Sequence, residues 1–119
     1  MCDVKLYDSE MKIMELIWRK EPVSAKELSL IAQDEIGWNK NTTYTVIKKA
    51  IEKGYVKRED PDFICTSLIS KEDVRGSETR SLVDRLFGGS KKALFSALLE
   101  DEDLTDEDIA ELREMIEKR

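Results

Sequence analysis

The side chains best suited to chemistry in this chain form a polar and basic run between positions 39 and 58. Asparagine can pair with adenine, threonine can donate to a base or meet a thymine methyl group, and lysine contacts phosphate. A helix in the DNA major groove presents base-reading residues near its N-terminus. Lys48 and Lys49, one turn further on, suit phosphate contacts. The full set of predicted DNA-binding residues is Asn39, Lys40, Asn41, Thr42, Tyr44, Thr45, Lys48, Lys49, Lys57 and Arg58.

The charge of this run opposes the charge of the whole chain. Asn, Thr and Lys are also common on an ordinary solvated helix, so the residue types of the run do not by themselves indicate DNA binding. The charge adds to them: residues 39–58 carry six basic side chains against one acid, Glu52, a local charge of +5. The whole 119-residue chain has a formal net charge of −6. A cationic patch on an acidic protein indicates a polyanion as partner.

Two predicted helices precede the run. The first is expected to begin after an N-cap at Asp8 and to end before Pro22, with a broad apolar face. The second is expected to begin at a capping box formed by Ser24 and Glu27, and to end near Gly37. Both are short amphipathic helices, and they form a capped pair ahead of the third helix.

The third predicted helix carries the run itself. It is expected to extend from an N-cap at Asn39 to Lys53, with Gly54 as its stop. Its predicted buried face consists of Thr43, Val46, Ile47, Ala50 and Ile51. Strand-like segments at 55–59 and 63–68 follow, joined by a turn at 60–62. Two helices, a polar-faced third helix and a hairpin are the arrangement of a winged helix-turn-helix DNA reader.

A second predicted block begins at Ser70 and holds three helices, so that we expect domains at 1–69 and 70–119. Its second and third helices are predicted to be capped by Ser90 and by a Thr105–Asp108 box. Three short helices cannot bury their apolar residues among themselves, which favours pairing with a second copy. The predicted dimerisation residues are Leu82, Leu86, Phe87, Leu94, Leu98, Leu99, Leu112 and Ile116.

Several functional classes are excluded by composition. The chain has no histidine and only two cysteines, Cys2 and Cys65, far apart in sequence, so we expect no enzyme, no cofactor and no metal site. Cys65 is expected to be a small buried hydrophobe. Seven acids in 100–108 lack the glycine and the alternation of a calcium loop, and suit a solvated loop and the first turn of the last helix.

Composition also bears on fold class and location. Charged residues make up 39% of the chain, with only five glycines and two prolines, which favours long solvated helices over a β-rich body. Together with the predicted hairpin, this gives a mainly α fold with a small β-wing. No run of 18 apolar residues occurs, and the N-terminus lacks the apolar stretch of a signal peptide. We therefore expect a cytoplasmic protein without membrane association.

The chain resembles the penicillinase repressor family of the BlaI/MecI type. The segment from Leu6 to Trp18 is similar to the opening of that family, and Trp38 to Thr45 to the start of its recognition helix. Lys53 to Val56 resembles its glycine stop. Leu86 to Gly89, and Glu102 to Arg113, resemble its dimerisation helices. No single tetrapeptide decides the resemblance, but the ordered set is specific.

The resemblance implies a dimeric transcriptional repressor that binds an inverted-repeat operator with TACA/TGTA-like half-sites. It also implies release through a membrane sensor metallopeptidase, switched on by β-lactam, that leads to cleavage in the dimerisation block. Ala97-Leu98 stands where characterised staphylococcal members have an Asn-Phe bond. The chain lacks the C-terminal Cys-x-Cys of copper-responsive relatives, and Phe63 to Thr66 replaces the usual tyrosine pattern of the wing.

Two other interpretations stay open at the level of sequence. A winged-helix fold also serves as a protein-interaction adaptor without DNA function. A repressor of this kind could instead sense a small ligand directly. Salt distinguishes the adaptor, because DNA binding weakens steeply with salt through counterion release, whereas an adaptor binds little DNA at any salt concentration.

Overall fold

A computed structural model describes residues 6–100 and 103–119. The chain is mainly helical with a small antiparallel sheet, which confirms the predicted fold class. Its elements are α1 (Asp8–Lys20), β1 (Val23–Ser24), α2 (Ala25–Glu35), α3 (Lys40–Glu52), β2 (Val56–Glu59), β3 (Ile64–Ser67), α4 (Lys71–Phe87), α5 (Lys91–Leu99) and α6 (Asp106–Glu117).

The start of α1 differs from the prediction by one residue. Its N-cap is Tyr7, not Asp8, and the Tyr7 backbone N–H donates to Oε1 of Glu10 over 2.9 Å. A carboxylate in the first turn reaches back to the residue three positions earlier, so Glu10 selects Tyr7 as the cap. The helix ends at Lys20, before Pro22, as expected.

The two helices of the helix-turn-helix begin at the predicted caps. Oγ of Ser24 accepts the Glu27 backbone N–H over 3.1 Å at the start of α2. Oδ1 of Asn39 accepts the Thr42 N–H over 2.8 Å at the start of α3. The chain leaves α3 through Gly54, whose φ of +80° lies in the left-handed region that glycine adopts without a Cβ clash.

The sheet has three strands in the order β1-β3-β2, all antiparallel. The two predicted strands are confirmed to within a residue or two, but β1 was not anticipated. It is two residues long and pairs Val23 with Cys65, so its sequence is too short to show a period. The Ala25 N–H, at the first position of α2, donates to the Phe63 carbonyl over 2.9 Å and ties the hairpin to the helix-turn-helix.

One apolar core joins α1, α2, α3 and the sheet. Its buried members are Ile13, Met14, Leu16, Ile17, Val23, Ala25, Leu28, Ala32, Val46, Ile47, Ala50, Val56 and Cys65. The predicted face of α3 is buried in it, except that Ile51 is half-buried. Cys65 is fully buried as predicted, and this burial raises the pKa of its thiol to about 11.

The protein divides into two compact units, each with most of its contacts inside itself. The division lies between Glu78 and Thr79, within α4. The first unit holds the helix-turn-helix and the sheet. Oγ of Ser70 accepts the Asp73 N–H over 3.0 Å and caps α4 as predicted. The proposed domain boundary at 69/70 concerns independent folding, and it stays a prediction.

The second unit contains the end of α4 with α5 and α6. Ser90 caps α5 through the Ala93 N–H, and Thr105 and Asp108 form the predicted capping box of α6. The first turn of α6 carries three acids, as expected. Among the described residues after Glu78, only Val83 is a buried apolar side chain. In 6–100 and 103–119, no helix is long and apolar enough to cross a membrane.

Candidate nucleic-acid interface

The outer face of α3 carries a stripe of exposed polar residues. Asn41, Thr45 and Lys48 follow one another at spacings of four and three, so they lie on one side of the helix. All three are exposed, whereas the face that includes Val46 is buried. We call these three residues the α3 stripe. Glu52 continues the line one turn later, so an acid marks its C-terminal end.

Within the stripe, the hydroxyl group of Thr45 already makes a hydrogen bond within the helix. Its Oγ donates to the Asn41 backbone carbonyl over 2.9 Å. The hydroxyl proton is therefore used by the helix, which leaves Thr45 with its methyl group and the oxygen lone pairs for a partner. The Asn41 side chain is exposed, and its amide can both donate and accept.

The start of α3 holds three more of the predicted DNA-binding residues. Asn39 is the N-cap, so its side-chain oxygen is occupied and its amide N–H₂ remains for other partners. Thr42 is exposed. The Lys40 ammonium lies 5.8 Å from the centre of the Tyr44 ring, which brings it within cation–π range.

Tyr44 lies between the helix and the hairpin and is only half-exposed. Its ring meets the Phe63 ring edge to face, with centroids 5.8 Å apart and planes at 88°. Tyr44 thus contacts the core and the wing turn as well as solvent. Sequence reasoning missed Phe63 as its partner, although an aromatic residue directly after the turn at 60–62 was the available signal.

The basic side chains on α3 are of two kinds. In the described part of the chain, no acid lies within ion-pair distance of Lys40, Lys48 or Lys49. Lys53 differs, because its Nζ lies 2.6 Å from Oε2 of Glu10, a carboxylate that is 2% exposed.

The surroundings of Lys53 hold it at the end of α3. The Tyr7 ring lies 4.5 Å below its ammonium. The hydrogen bond to Glu10 raises the pKa of Lys53 above its usual 10.5. The formal charge of +5 counted from the sequence therefore includes a cation that is already paired with an acid of the protein.

The two predicted basic residues of the hairpin also have acidic neighbours. Lys57 lies 3.7 Å from Glu59, and both side chains are well exposed, so this contact is weak. Nε of Arg58 donates to Oδ1 of Asp60 over 3.0 Å, and its guanidinium carbon lies 3.7 Å from the centre of the Phe63 ring. The other N–H groups of Arg58 are left for a partner.

Comparison with known proteins decides the family. The family model described as penicillinase repressor matches residues 6–118 of the chain. The chain belongs to the penicillinase repressor family. The resemblance inferred from its motifs is thereby confirmed.

Individual members of the penicillinase repressor family align over nearly the whole chain. Methicillin resistance regulatory protein MecI of Staphylococcus aureus (strain N315) is 27% identical over 122 residues, covering 98% of this chain and 99% of that protein. The penicillinase repressor of Staphylococcus aureus is 27% identical over 115 residues, covering 95% and 91%. That of Bacillus licheniformis is 24% identical over 116 residues, covering 96% and 91%.

A solved structure supports the same fold. The solution structure of the DNA-binding domain of the repressor BlaI matches with a TM-score of 0.55 and 22% identity, over 60% of this chain and 90% of that one. The match identifies the winged-helix fold.

The residues predicted for dimerisation in this family member differ in exposure. Leu86, Leu98, Leu99 and Ile116 are at least half exposed, and Met115, which was not predicted, is also exposed. Leu82, Phe87, Leu94 and Leu112 are half-buried. The second unit therefore presents large apolar side chains to solvent, an unusual condition for a small helical unit.

Three sequence-level candidates need separate mention. Cys2, Asp101 and Glu102 lie outside the described residues. Within 6–100 and 103–119, no group of three histidine, cysteine or acidic side chains is close enough to hold a metal ion.

Proposed function

We propose that this protein is a sequence-specific DNA-binding transcriptional repressor. In this proposal α3 is the recognition helix and lies in the major groove, while the β2–β3 hairpin is the wing. The observation that carries it is the α3 stripe: an exposed amide, a methyl-bearing threonine and an unpaired lysine on the third helix of a winged-helix fold. Membership of a family described as penicillinase repressors supports the same function.

The residues of the interface divide by role. Asn41 and Thr45 read base edges, through the amide and the methyl group respectively. Lys48, and Lys49 on the flank of the stripe, contact phosphates and supply sequence-independent affinity. At the wing, Arg58 and the more weakly placed Lys57 contact the backbone beside the groove.

We also propose that the protein binds as a homodimer through its second unit. A unit that buries Val83 but exposes Leu86, Leu98 and Ile116 within its described residues gains stability by covering those side chains with a second copy. A twofold dimer requires an inverted-repeat operator, with half-sites about one helical turn or a multiple of it apart. Residues 1–69 then act as the reader and 70–119 as the self-association domain.

Derepression is proposed to follow a backbone cut within 90–99. This segment contains the whole of α5 and its N-cap, Ser90. The exposed residues Ala97 and Leu98 align with the cut site expected from the family resemblance. Separating α5 from α6 removes part of the dimer surface. Loss of linked half-sites lowers operator avidity by about 10²–10⁴-fold without changing a base contact. The relatives' names point to β-lactam-resistance-type genes as targets. The sensor-linked protease that would make the cut is taken from the family resemblance alone.

DNA binding is tested with the full chain and a randomised pool of DNA duplexes. Sequences retained by the protein are expected to contain two inverted half-sites. Titration of the selected duplex at several salt concentrations should give a log–log slope of about −0.9 per phosphate contacted. No enrichment and no salt-dependent binding would reject the repressor and leave the adaptor interpretation.

The dimer is tested separately by sedimentation of two matched variants. Leu98→Asp places a charge on the proposed dimer surface, and Leu30→Asp makes the same change at a leucine of similar exposure on α2. The first is expected to sediment as a monomer and to bind the selected duplex about 10²-fold or more weakly. The second should stay dimeric. Equal sedimentation of both variants and the unmodified chain would contradict self-association through α5.

A further inference from the structure

Phe63 occupies an unusual backbone conformation at the end of the wing turn. Its φ is +52°, in the left-handed region, and within the described residues it is the one non-glycine residue there. Bulky side chains rarely adopt this region, and strained positions of this kind persist only where surrounding contacts hold them. Here the Phe63 carbonyl accepts the Ala25 N–H over 2.9 Å, and its ring is held on two sides.

The two sides of the ring belong to different parts of the predicted interface. Tyr44 of α3 contacts it edge to face, with centroids 5.8 Å apart. The Arg58 guanidinium of β2 lies 3.7 Å from its centre, a distance typical of stacking and cation–π attraction. Phe63 is therefore the side chain that both the recognition helix and the basic residue of the wing contact.

We propose that Phe63 is a positioning residue that fixes Arg58 against the recognition helix, so that the guanidinium is held ready for a DNA phosphate. The proposal rests on the DNA-binding function proposed above and adds a residue to it. Phe63 itself does not touch DNA in this scheme. It acts by restricting the rotamers of an otherwise flexible side chain before DNA arrives.

The geometry leaves the phosphate-binding part of Arg58 available. Asp60 takes the Nε–H, while the terminal N–H groups have no partner among the described residues. These groups form the fork that binds phosphate oxygens in pairs. Ordering a long side chain in advance reduces the entropy lost on binding. Removing the ring releases Arg58 to solvent, and its phosphate contact is lost or becomes intermittent.

The test measures the salt dependence of binding to a duplex of arbitrary sequence, because a phosphate contact carries no base information. The full chain is compared with Arg58→Gln, Phe63→Leu, Phe63→Gly, Phe63→Tyr and the double variant Arg58→Gln/Phe63→Leu. Loss of one phosphate contact should reduce the slope of log binding constant against log salt concentration by about 0.9 in magnitude for each bound protomer. If affinity at 1 M salt is unchanged, this corresponds to about eightfold weaker binding at 0.1 M salt.

Arg58→Gln, Phe63→Leu and Phe63→Gly are all expected to lose this amount. The double variant should lose no more than either single variant, because both act on one contact. Phe63→Tyr keeps the ring and should keep the slope of the unmodified chain. Phe63→Gly is the safeguard for folding, since glycine adopts a φ of +52° without strain. Circular dichroism establishes that each variant is folded under the binding conditions.

A purely structural role for Phe63 predicts a different pattern. The variants would melt at lower temperature while keeping the full salt slope, and that result would overturn the proposal. Additive slope losses in the double variant would overturn it as well. Failure of the underlying function is recognised separately, because the unmodified chain would then show no salt-dependent DNA binding at all.

Discussion

Lys48 lies within α3 and Lys53 is the C-cap of the same helix. The structure predicts opposite effects when each of these lysines is replaced by alanine. Lys48 is exposed on the α3 stripe and has no acidic partner among the described residues. Lys53 is paired with the buried carboxylate of Glu10 at 2.6 Å. We expect Lys48→Ala to weaken DNA binding and leave folding intact, and Lys53→Ala to weaken folding and leave the DNA contacts of the folded protein intact.

The size of the Lys48 effect follows from counterion release. One phosphate contact contributes about 0.9 to the magnitude of the salt slope, so two protomers on one operator lose about 1.8. At 0.1 M salt this corresponds to about 60-fold weaker binding relative to the 1 M extrapolation. Stability should change by no more than about 0.5 kcal/mol, because an exposed side chain without a partner is removed.

The Lys53 effect has a defined pH dependence. Lys53→Ala leaves the Glu10 carboxylate buried without its cation, so the unfolding midpoint should fall. The pKa of Lys53 is raised in the folded state by the hydrogen bond to Glu10, above 10.5. A raised lysine pKa means that the stabilisation is fully present below about pH 10.5 and is lost as the pH rises through the folded value. The difference between Lys53→Ala and the unmodified chain should therefore be undiminished at neutral pH.

Two measurements decide the comparison. Denaturant unfolding gives the stability of each variant, and fluorescence anisotropy on a labelled duplex at several salt concentrations gives the slope. The reasoning is refuted if Lys48→Ala changes which base is preferred while leaving the slope intact, since the lysine would then read a base. It is also refuted if Lys53→Ala reduces the slope of a fully folded protein as much as Lys48→Ala does.

Four further outcomes follow from single residues. Asn41→Ala should reduce discrimination by about 1–3 kcal/mol at one half-site position, measured on a panel of single-base operator variants. Thr45→Ala should lose discrimination that Thr45→Val retains, because the hydroxyl proton is used by the helix and the methyl group is the part that we propose meets a base. Ser24→Ala should lower the free energy of unfolding by about 1 kcal/mol, and Ser24→Asp should restore it, as measured in urea. With Cys2 replaced by serine, Cys65 should react with iodoacetamide at pH 8 far more slowly in the folded chain than in urea, because the folded chain buries the thiol fully and raises its pKa to about 11.

Local signals in the sequence were sufficient for the helices and the hairpin. Ser24, Asn39 and Thr105 each cap a helix by accepting the backbone N–H three residues later. A window of four residues is therefore enough to predict each cap. The one cap placed wrongly, at Asp8 in place of Tyr7, shows the same point. Glu10 was the informative residue: its carboxylate accepts the N–H of the residue three positions earlier, and that residue is Tyr7.

Contacts between residues distant in sequence could not be read in this way. Val23 and Ser24 form a strand only because β3 lies beside them, forty residues further along the chain. The pairing of Glu10 with Lys53 joins the start of α1 to the C-cap of α3, and the sequence showed each residue only as a charge. Tyr44 was predicted as a solvent-facing contact for DNA, whereas Phe63, which meets its ring, comes from the wing turn.

These distant contacts bear on what α3 can do as the proposed recognition helix. At its C-terminal end, Lys53 is fixed by Glu10 and Tyr7 of the α1 start, and near its N-terminal end Tyr44 is fixed by Phe63 of the wing. Nothing in the sequence indicated either attachment: Lys53 was counted as part of the cationic patch, Tyr44 was predicted to contact DNA, and Phe63 had no predicted role. The helix is thus held by α1 and by the wing independently of any ligand, which lowers the entropy lost when its exposed stripe meets a groove. The cations left unpaired on α3 therefore give a better estimate of its electrostatic contribution than the formal +5 of residues 39–58, which also counts Lys53 and the two cations of the hairpin.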